Sequence, residues 1–417
     1  MSAELPADWT ELPLAEMCAR VSVGYVGETS SHYTDGTGIA LIRSQNVRPN
    51  RLDLSDVKQV TREFHEGSKK SQLVAGDLLI VRVGQNRGDC TVLPSGLGEV
   101  NCANIVFARP VRSYSDFFGA YFNTQRGHDA LLSVSSGSAQ LVLNTNAVAK
   151  IAVPVPPPDE AYAIGALSRN FDDRIALLRE TNATLEAIAQ ALFKSWFVDF
   201  DPVRAKMEGR APEGMDEATA ALFPDALEES ELGWVPKGWR VRKFEDFINR
   251  MSVGKKFDQK TANEIGSVPI LDQGKSGIIG FHNESPGVHA SLENPVVVFA
   301  NHTCYMRLIS FDFSAIQNVL PFVGKGVDTV WAFYATKGRV KFSEYKGHWP
   351  DFAIEKTVVP VASLTFAFRE IIDPLMRSVR CNELQAQTLA TLRDTLLPRL
   401  ISGQLRLPEA QALAAEV

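Results

Sequence analysis

Cysteine is scarce in this 417-residue chain, and the five present (Cys18, Cys90, Cys102, Cys304, Cys381) are scattered, with no Cys-x-x-Cys pair. That excludes a zinc finger and a disulfide framework and leaves buried free thiols as the expectation. Seven histidines without metal-ligand spacing add no case for a hydrolytic metal centre. No apolar run approaches the ~20 residues that span a bilayer, and the N-terminal MSAELPADWTELP has no basic region ahead of an apolar core. A cytoplasmic protein is expected. A phosphate loop is also missing, because GKS at 274–276 would need glycine at 269, where Pro269 stands. In PDFAIEK (350–356) Glu355 and Lys356 are adjacent, which spoils the resemblance to a nuclease core. NVLPF (318–322) is not the Asn/Asp-Pro-Pro-aromatic element that grips a flipped adenine. No enzymatic chemistry is expected of this chain, and no metal or cofactor.

With 45% hydrophobic residues, the chain has material for two or three packed domains. Its net charge of −6 argues at first against a nucleic-acid partner. The distribution reverses that: −1 over 1–155, −3 over 156–205, −6 over 206–232, +4 over 233–362 and 0 over 363–417. The acidic excess sits mainly in one short connector, so the larger segments are free to carry basic faces.

The chain repeats itself. LPADW (5–9) is echoed by VPKGW (235–239), and ARVSVG (19–24) by NRMSVG (249–254), at an offset of 230. Lys150, Val153, Pro154 and Val155 match Lys356, Val359, Pro360 and Val361 at an offset of 206. After each proline stop runs an apolar stripe with steps of three and four: Ile164, Leu167, Phe171, Ile175, Leu178, Leu185, Ile188, Leu192 and Trp196. Adding 204 gives Phe368, Ile371, Leu375, Val379, Asn382, Leu389, Leu392, Leu396 and Leu400, of which only Asn382 is polar. Two matching seams of period near 3.5 predict a coiled coil formed by the chain with itself. The plainer alternative is two core helices of larger domains. Asp373-Pro374 could restart or kink the second helix. Asn182 and Asn382 lie on the seam at non-equivalent positions and could fix its register.

Ahead of each helix, short apolar runs broken by Gly, Asn and Pro read as strands: 38–47, 76–84, 103–111 and 141–144, then 267–274, 294–302 and 337–345. The acidic, Pro- and Gly-bearing 207–233 reads as a flexible joint.

FKSWFVDFDPVRAKMEG (193–209), PDALEESELGWVPKGW (224–239) and LRDTLLPRLISGQL (392–405), within a duplicated globule-helix layout, make the chain similar to the DNA-specificity (S) subunit of type I restriction-modification systems. The resemblance covers nearly the whole chain and is weak inside the globules. It implies an α+β fold, with two α+β target recognition domains in pseudo-twofold arrangement joined by two long antiparallel coiled-coil helices. The divisions are target recognition domain 1 at 1–155, spacer helix 1 at 156–205, the acidic connector at 206–232, domain 2 at 233–362, spacer helix 2 at 363–405 and a tail at 406–417. It further implies a split double-stranded DNA target and docking of modification (adenine N6-methyltransferase) and restriction (ATP-dependent translocase/endonuclease) subunits. AdoMet, Mg and ATP would sit on those partners, and no membrane is involved.

Polar, Arg-bearing turns beside strands suit base and phosphate contact, since Arg reads guanine and Asn or Gln reads adenine. The candidates in the first globule are Arg43, Ser44, Gln45, Asn46, Arg82, Gln85, Asn86, Arg87, Ser135, Ser136, Ser138 and Gln140. Those in the second are Lys255, Lys256, Asp272, Gln273, Lys275, Ser276, Asn301, His302, Tyr345, Lys346, His348 and Trp349. For each residue alone, a solvated loop is the competing reading. Phe193, Trp196, Phe197, Phe200, Leu396 and Leu400 offer more apolar surface than a two-helix seam covers and read as a partner interface, with packing on a globule as the alternative. The rival function is a structural or interaction protein whose coiled coil is the working part, without DNA specificity.

Overall fold

The computed structural model describes residues 5–137, 141–274, 277–344 and 346–410. The chain divides into two compact units, Met1–Leu178 with Leu384–Val417 and Arg179–Glu383. Each holds one α+β globule and a part of each long helix.

In the first unit, Cys18–Val23, Ile105–Pro110, Leu78–Val81 and Cys90–Val92 form an antiparallel sheet in that order. A second sheet runs Lys58–Val60, Ile39–Ile42, Val100–Cys102, Gln72–Leu73, with its middle pair parallel. The helix Ser115–Phe122 packs Phe117, Phe118, Tyr121 and Phe122 into the core. In the second unit the order of the antiparallel sheet recurs. Ile248–Arg250, Val319–Gly324, Val296–Ala300 and Met306–Ile309 form the antiparallel sheet, and Thr329–Thr336 is the core helix, with Asp328 Oδ1 capping the Val330 and Trp331 amides. The other sheet runs Lys256–Phe257, Ser314–Ile316, Val268–Leu271, Ile278–His282. VVVFA at 296–300 is apolar throughout and buried along its length, because a central strand covered on both faces has no solvent side to make polar.

A two-stranded ribbon closes each globule: Thr10–Pro13 against Ala152–Val155, and Arg240–Lys243 against Lys356–Val359. Thr10 pairs with Val155 and Arg240 with Val359, so the closing strands correspond at an offset of 204, where the proline motifs suggested 206. A two-residue slip keeps every side chain on its face, which is why residue matching could not detect it.

The long helices are Pro158–Phe197 and Ala362–Ile401, 40 residues each and again 204 apart. Proline suits the first helical position, where its missing N–H costs nothing. The second helix runs through Pro374 as one element, so Asp373-Pro374, which could have restarted or kinked it, does not restart it. In the first unit Ile164, Leu167 and Phe171 share a core with Leu389, Leu392, Leu396 and Leu400, and Arg393 Nη1 meets Asp172 Oδ1 at 2.5 Å. In the second, Leu192, Phe193, Trp196 and Phe197 share one with Phe368, Ile371, Ile372 and Leu375. The start of one helix meets the end of the other in both cases, so the packing is antiparallel within each unit.

Two expectations change. KGRVKFSEY (337–345) forms no strand among its described residues and is an open loop, since it finds no partner strand and its Lys and Arg side chains favour water. The connector contains ordered elements, the helix Glu217–Ala221 and the hairpin Leu227–Ser230/Gly233–Pro236. Its apolar residues anchor it: Phe223 is buried, edge-on to Trp196 at 5.2 Å. Among the described residues no helix is long and apolar enough to cross a membrane.

Candidate nucleic-acid interface

Three loops meet at one end of the first globule's strands. The turn Ser44–Asn46 follows Ile39–Ile42 and is built by Asn46, only 1% exposed, whose Oδ1 accepts from the Arg43 amide (3.0 Å) while its Nδ2 donates to Asp53 O (2.9 Å). Arg43 Nη2 donates to Asp56 O and Gln45 Nε2 to Asp56 Oδ2, both at 2.7 Å. Lys58 and Arg43 together hold the Asp56 carboxyl below its usual range. The second loop follows Leu78–Val81 and turns at Gly84 (φ +96°) and Gly88 (φ +94°), backbone that favours glycine. It exposes Gln85 and Asn86. Arg82 Nη1 reaches Asn104 Oδ1 at 3.5 Å, and Arg87 Nη1 reaches Leu141 O at 3.5 Å, both at the limit of a hydrogen bond. The third loop is the hairpin Ser135–Ser136/Val142–Leu143, tied to the second by Leu143 N on Arg82 O (2.9 Å). Asn104, in left-handed backbone (φ +55°), sits where the loops meet and accepts from Ser44 Oγ through its carbonyl (3.2 Å).

The second globule builds the corresponding loops. Asp272 and Gln273 follow Val268–Leu271 as Arg43 and Ser44 follow Ile39–Ile42, and Asn301 follows Val296–Ala300 as Arg82 follows Leu78–Val81. Asn318 (φ +66°) precedes Val319–Gly324 as Asn104 precedes Ile105–Pro110. Gln273 Oε1 accepts from His302 N (3.0 Å), its carbonyl from Thr303 Oγ1 (2.6 Å), and Asp272 Oδ1 from the Gly274 and Gly277 amides (3.0 and 3.1 Å). Asn301 holds the third loop, with Oδ1 on Trp349 N (2.8 Å) and its carbonyl on His348 N (2.9 Å). A Cβ on Gly347 would lie 2.9 Å from Asn301 Nδ2, which is why the loop can pass so close. Lys346 lies 3.3 Å from both Asp351 and Glu344, which hold its ammonium above the usual range. Among these loops an open cleft of about 370 Å³ is lined by Gln273, Thr303, Cys304, Tyr305, Val340 and Phe342, among others. Burial pushes the Cys304 thiol up, so it lines the cleft as a neutral SH.

The structure thus brings together Arg43, Ser44, Gln45, Arg82, Gln85, Asn86, Arg87, Ser135 and Ser136 in one globule. In the other it gathers Asp272, Gln273, Asn301, His302 and Lys346. Ser138, Gln140, Lys275, Ser276 and Tyr345 lie outside the described residues. Lys255, paired with Glu284 at 2.5 Å and 5.1 Å over the Phe257 ring, and exposed Lys256 lie just before and at the start of a different strand, Lys256–Phe257. Three candidates are corrected. Asn46 spends its amide inside the turn. His348 is 1% exposed and bonds Glu344 O through Nε2 (3.1 Å), and Trp349 packs on Phe299, Phe322 and Phe352. Trp349, half-buried, packs against that aromatic core.

The expected partner interface is corrected as well. Trp196, Phe197 and Phe200 are buried in the second unit, and Phe193 packs beside them against Trp331, Tyr334 and Phe368. Leu396 and Leu400 are buried in the first. Excess apolar surface on the helix is taken up by each unit's own globule. The residues that sequence reasoning missed are Asn104 and Asn318, whose signal was available: each is an Asn directly before an apolar strand, once in each half. Tyr305 and Phe342 were missed too, and nothing in their local sequence marks them.

No protein-family model matches the chain. It is 22% identical to the MjaIX type I restriction enzyme specificity subunit of Methanocaldococcus jannaschii, over 71% of this chain and 70% of the relative. It is 22% identical to the HindI type I restriction enzyme specificity subunit of Haemophilus influenzae, over 96% of this chain and all of the relative. The fold matches a crystal structure of the type I restriction-modification system S subunit from M. genitalium with a TM-score of 0.55, at 12% identity, covering 96% of this chain and 99% of that one.

Proposed function

We propose that this chain, which resembles type I restriction enzyme specificity subunits along almost its whole length, is the DNA-recognition subunit of such a system. It reads a split target and performs no catalysis itself. The observation that carries this is the duplication at the level of the site: equivalent loops, gathered at an equivalent left-handed asparagine, occur once in each globule. A single chain with two recognition units that are similar but not identical can read two different half-sites. Side chains on these loops would contact base edges, and the lysines and serines would hold phosphates. Modification and restriction subunits would be the protein partners, bringing AdoMet, Mg and ATP and acting inside the cell. The rival, a coiled-coil interaction protein, has no use for matching polar loops on both globules.

The test is single-molecule sequencing of DNA from cells that express a modification subunit with and without this chain, scored for adenine methylation. A split motif that depends on the chain supports the assignment. Silence from a modification subunit that is active with another specificity subunit refutes it.

A further inference from the structure

We propose that the two globules read half-sites of different base composition, the first taking a guanine through Arg82 and Arg87, and the second taking a thymine whose methyl group enters the cleft beside Tyr305 and Phe342. This rests on the DNA-recognition function above and adds the class of base pair that each globule accepts.

The equivalent loops differ in chemistry. Around the first, Arg43 Nη2 is held by the Asp56 carbonyl at 2.7 Å, whereas Arg82 and Arg87 each keep one contact at 3.5 Å. The Nε atoms of Arg43, Arg82 and Arg87 and the Ser135 hydroxyl are buried with no hydrogen-bond partner. Buried donors left unmade are costly, so their clustering on three adjoining loops marks a place that a ligand's acceptors complete. The guanidinium fork matches the O6 and N7 acceptors that guanine alone presents side by side in the major groove.

Among the described residues, the second globule has no such unpartnered donors at the equivalent loops. Asn301 stands in the place of Arg82, and its amide oxygen is spent on the Trp349 N–H. The arginine in that region, Arg307, turns inward and donates through Nη2 to Gly277 O (3.0 Å) and Asp272 O (3.3 Å). Gln273 is occupied by His302 N and by Gln317 O. What the loops leave open is the cleft, with Phe342 56% exposed at its edge and Lys341 next to it. The C5 methyl of thymine is the apolar group on the floor of the major groove, so a cleft of this lining selects an A·T pair, and Lys341 is placed for a phosphate. Continuity with the recognition loops names DNA as the occupant.

The test maps methylated sites in cells expressing the modification subunit with the wild-type chain, Arg82→Ala, Arg82→Gln or Phe342→Ala. Both arginine variants are expected to lower discrimination at one G·C pair of one half-site by roughly 10- to 100-fold. Arg82→Gln should admit adenine there, and Phe342→Ala should relax a T in the other half-site. Unchanged G·C positions in the arginine variants, or effects of Arg82 and Phe342 variants in the same half-site, overturn the proposal. If a variant methylates too weakly to map, binding of the purified complex to the wild-type duplex and its single-base changes decides: equal loss on all duplexes overturns it and base-selective loss supports it. A wild-type chain that yields no split motif refutes the DNA-recognition function itself, which is a separate result.

Discussion

Trp9 and Trp239 occupy equivalent positions, 230 residues apart, and both are buried. Trp9 Nε1 donates to Glu160 Oε2 at 3.1 Å in the first turn of the first long helix. The residue 204 further on is Leu364, and Trp239 Nε1 accordingly has no partner. The second half of the repeat has the indole without the acceptor. Trp9→Phe should therefore cost about 1 kcal/mol more than Trp239→Phe, the net worth of one hydrogen bond, since the packing loss is similar in both. Urea unfolding midpoints of the two variants would check this, and equal costs would show that Glu160 contributes nothing. The paired asparagines Asn104 and Asn318 illustrate the same residue-scale logic with opposite outcome: both halves kept the residue, because a left-handed turn into a strand tolerates Asn far better than a branched side chain.

At the scale of the element, the helix seams carry polar groups that each unit treats differently. In the second unit Asn382 Nδ2 donates to Asn182 Oδ1 (2.8 Å), and Asn182 Nδ2 donates to Val379 O (3.2 Å). The two asparagines do not correspond in the repeat, yet antiparallel packing makes them neighbours and satisfies both amides, which disfavours a slipped register. In the first unit the polar pair is Asp172 with Arg393. Burial pushes the Asp172 carboxyl up from its ordinary 3.8 to about 6, against the pull of Arg393. An acid whose folded value is raised binds its proton more tightly when folded than when unfolded. Its contribution to stability is thus most favourable below about 4 and is lost as pH climbs through about 6. Asp172→Asn should remove this dependence, so the melting temperature of wild type relative to the variant should fall between pH 4 and pH 7. A rise over the same interval would mean that the ion pair outweighs desolvation.

At the scale of the whole molecule, two continuous helices of 40 residues make a length that insertions can alter. On the proposed function, residues added at equivalent points of both helices should lengthen the unread spacer of the DNA target and leave the half-site sequences alone. Mapping methylated sites for such a variant checks this, and changed half-sites with a constant spacer would contradict it. Much of this scale was legible in the sequence. Amphipathic period fixes which segments are long helices, and a duplicated pattern of motifs and stripes fixes that the fold is built twice, because both depend on residues near one another in the chain. Loop candidates were legible as segments for the same reason, since polar turns follow apolar strands. Tertiary structure alone decided which side chains of those loops remain available. Asn46 and His348 are turned inward by partners within the same loops, Trp349 is drawn in by Phe299 and Phe322 from distant strands, Phe193 and Trp196 are covered by their own globule, and 337–344 finds no strand to pair with. Local pattern determines what an element is, whereas burial depends on which distant residues arrive beside it.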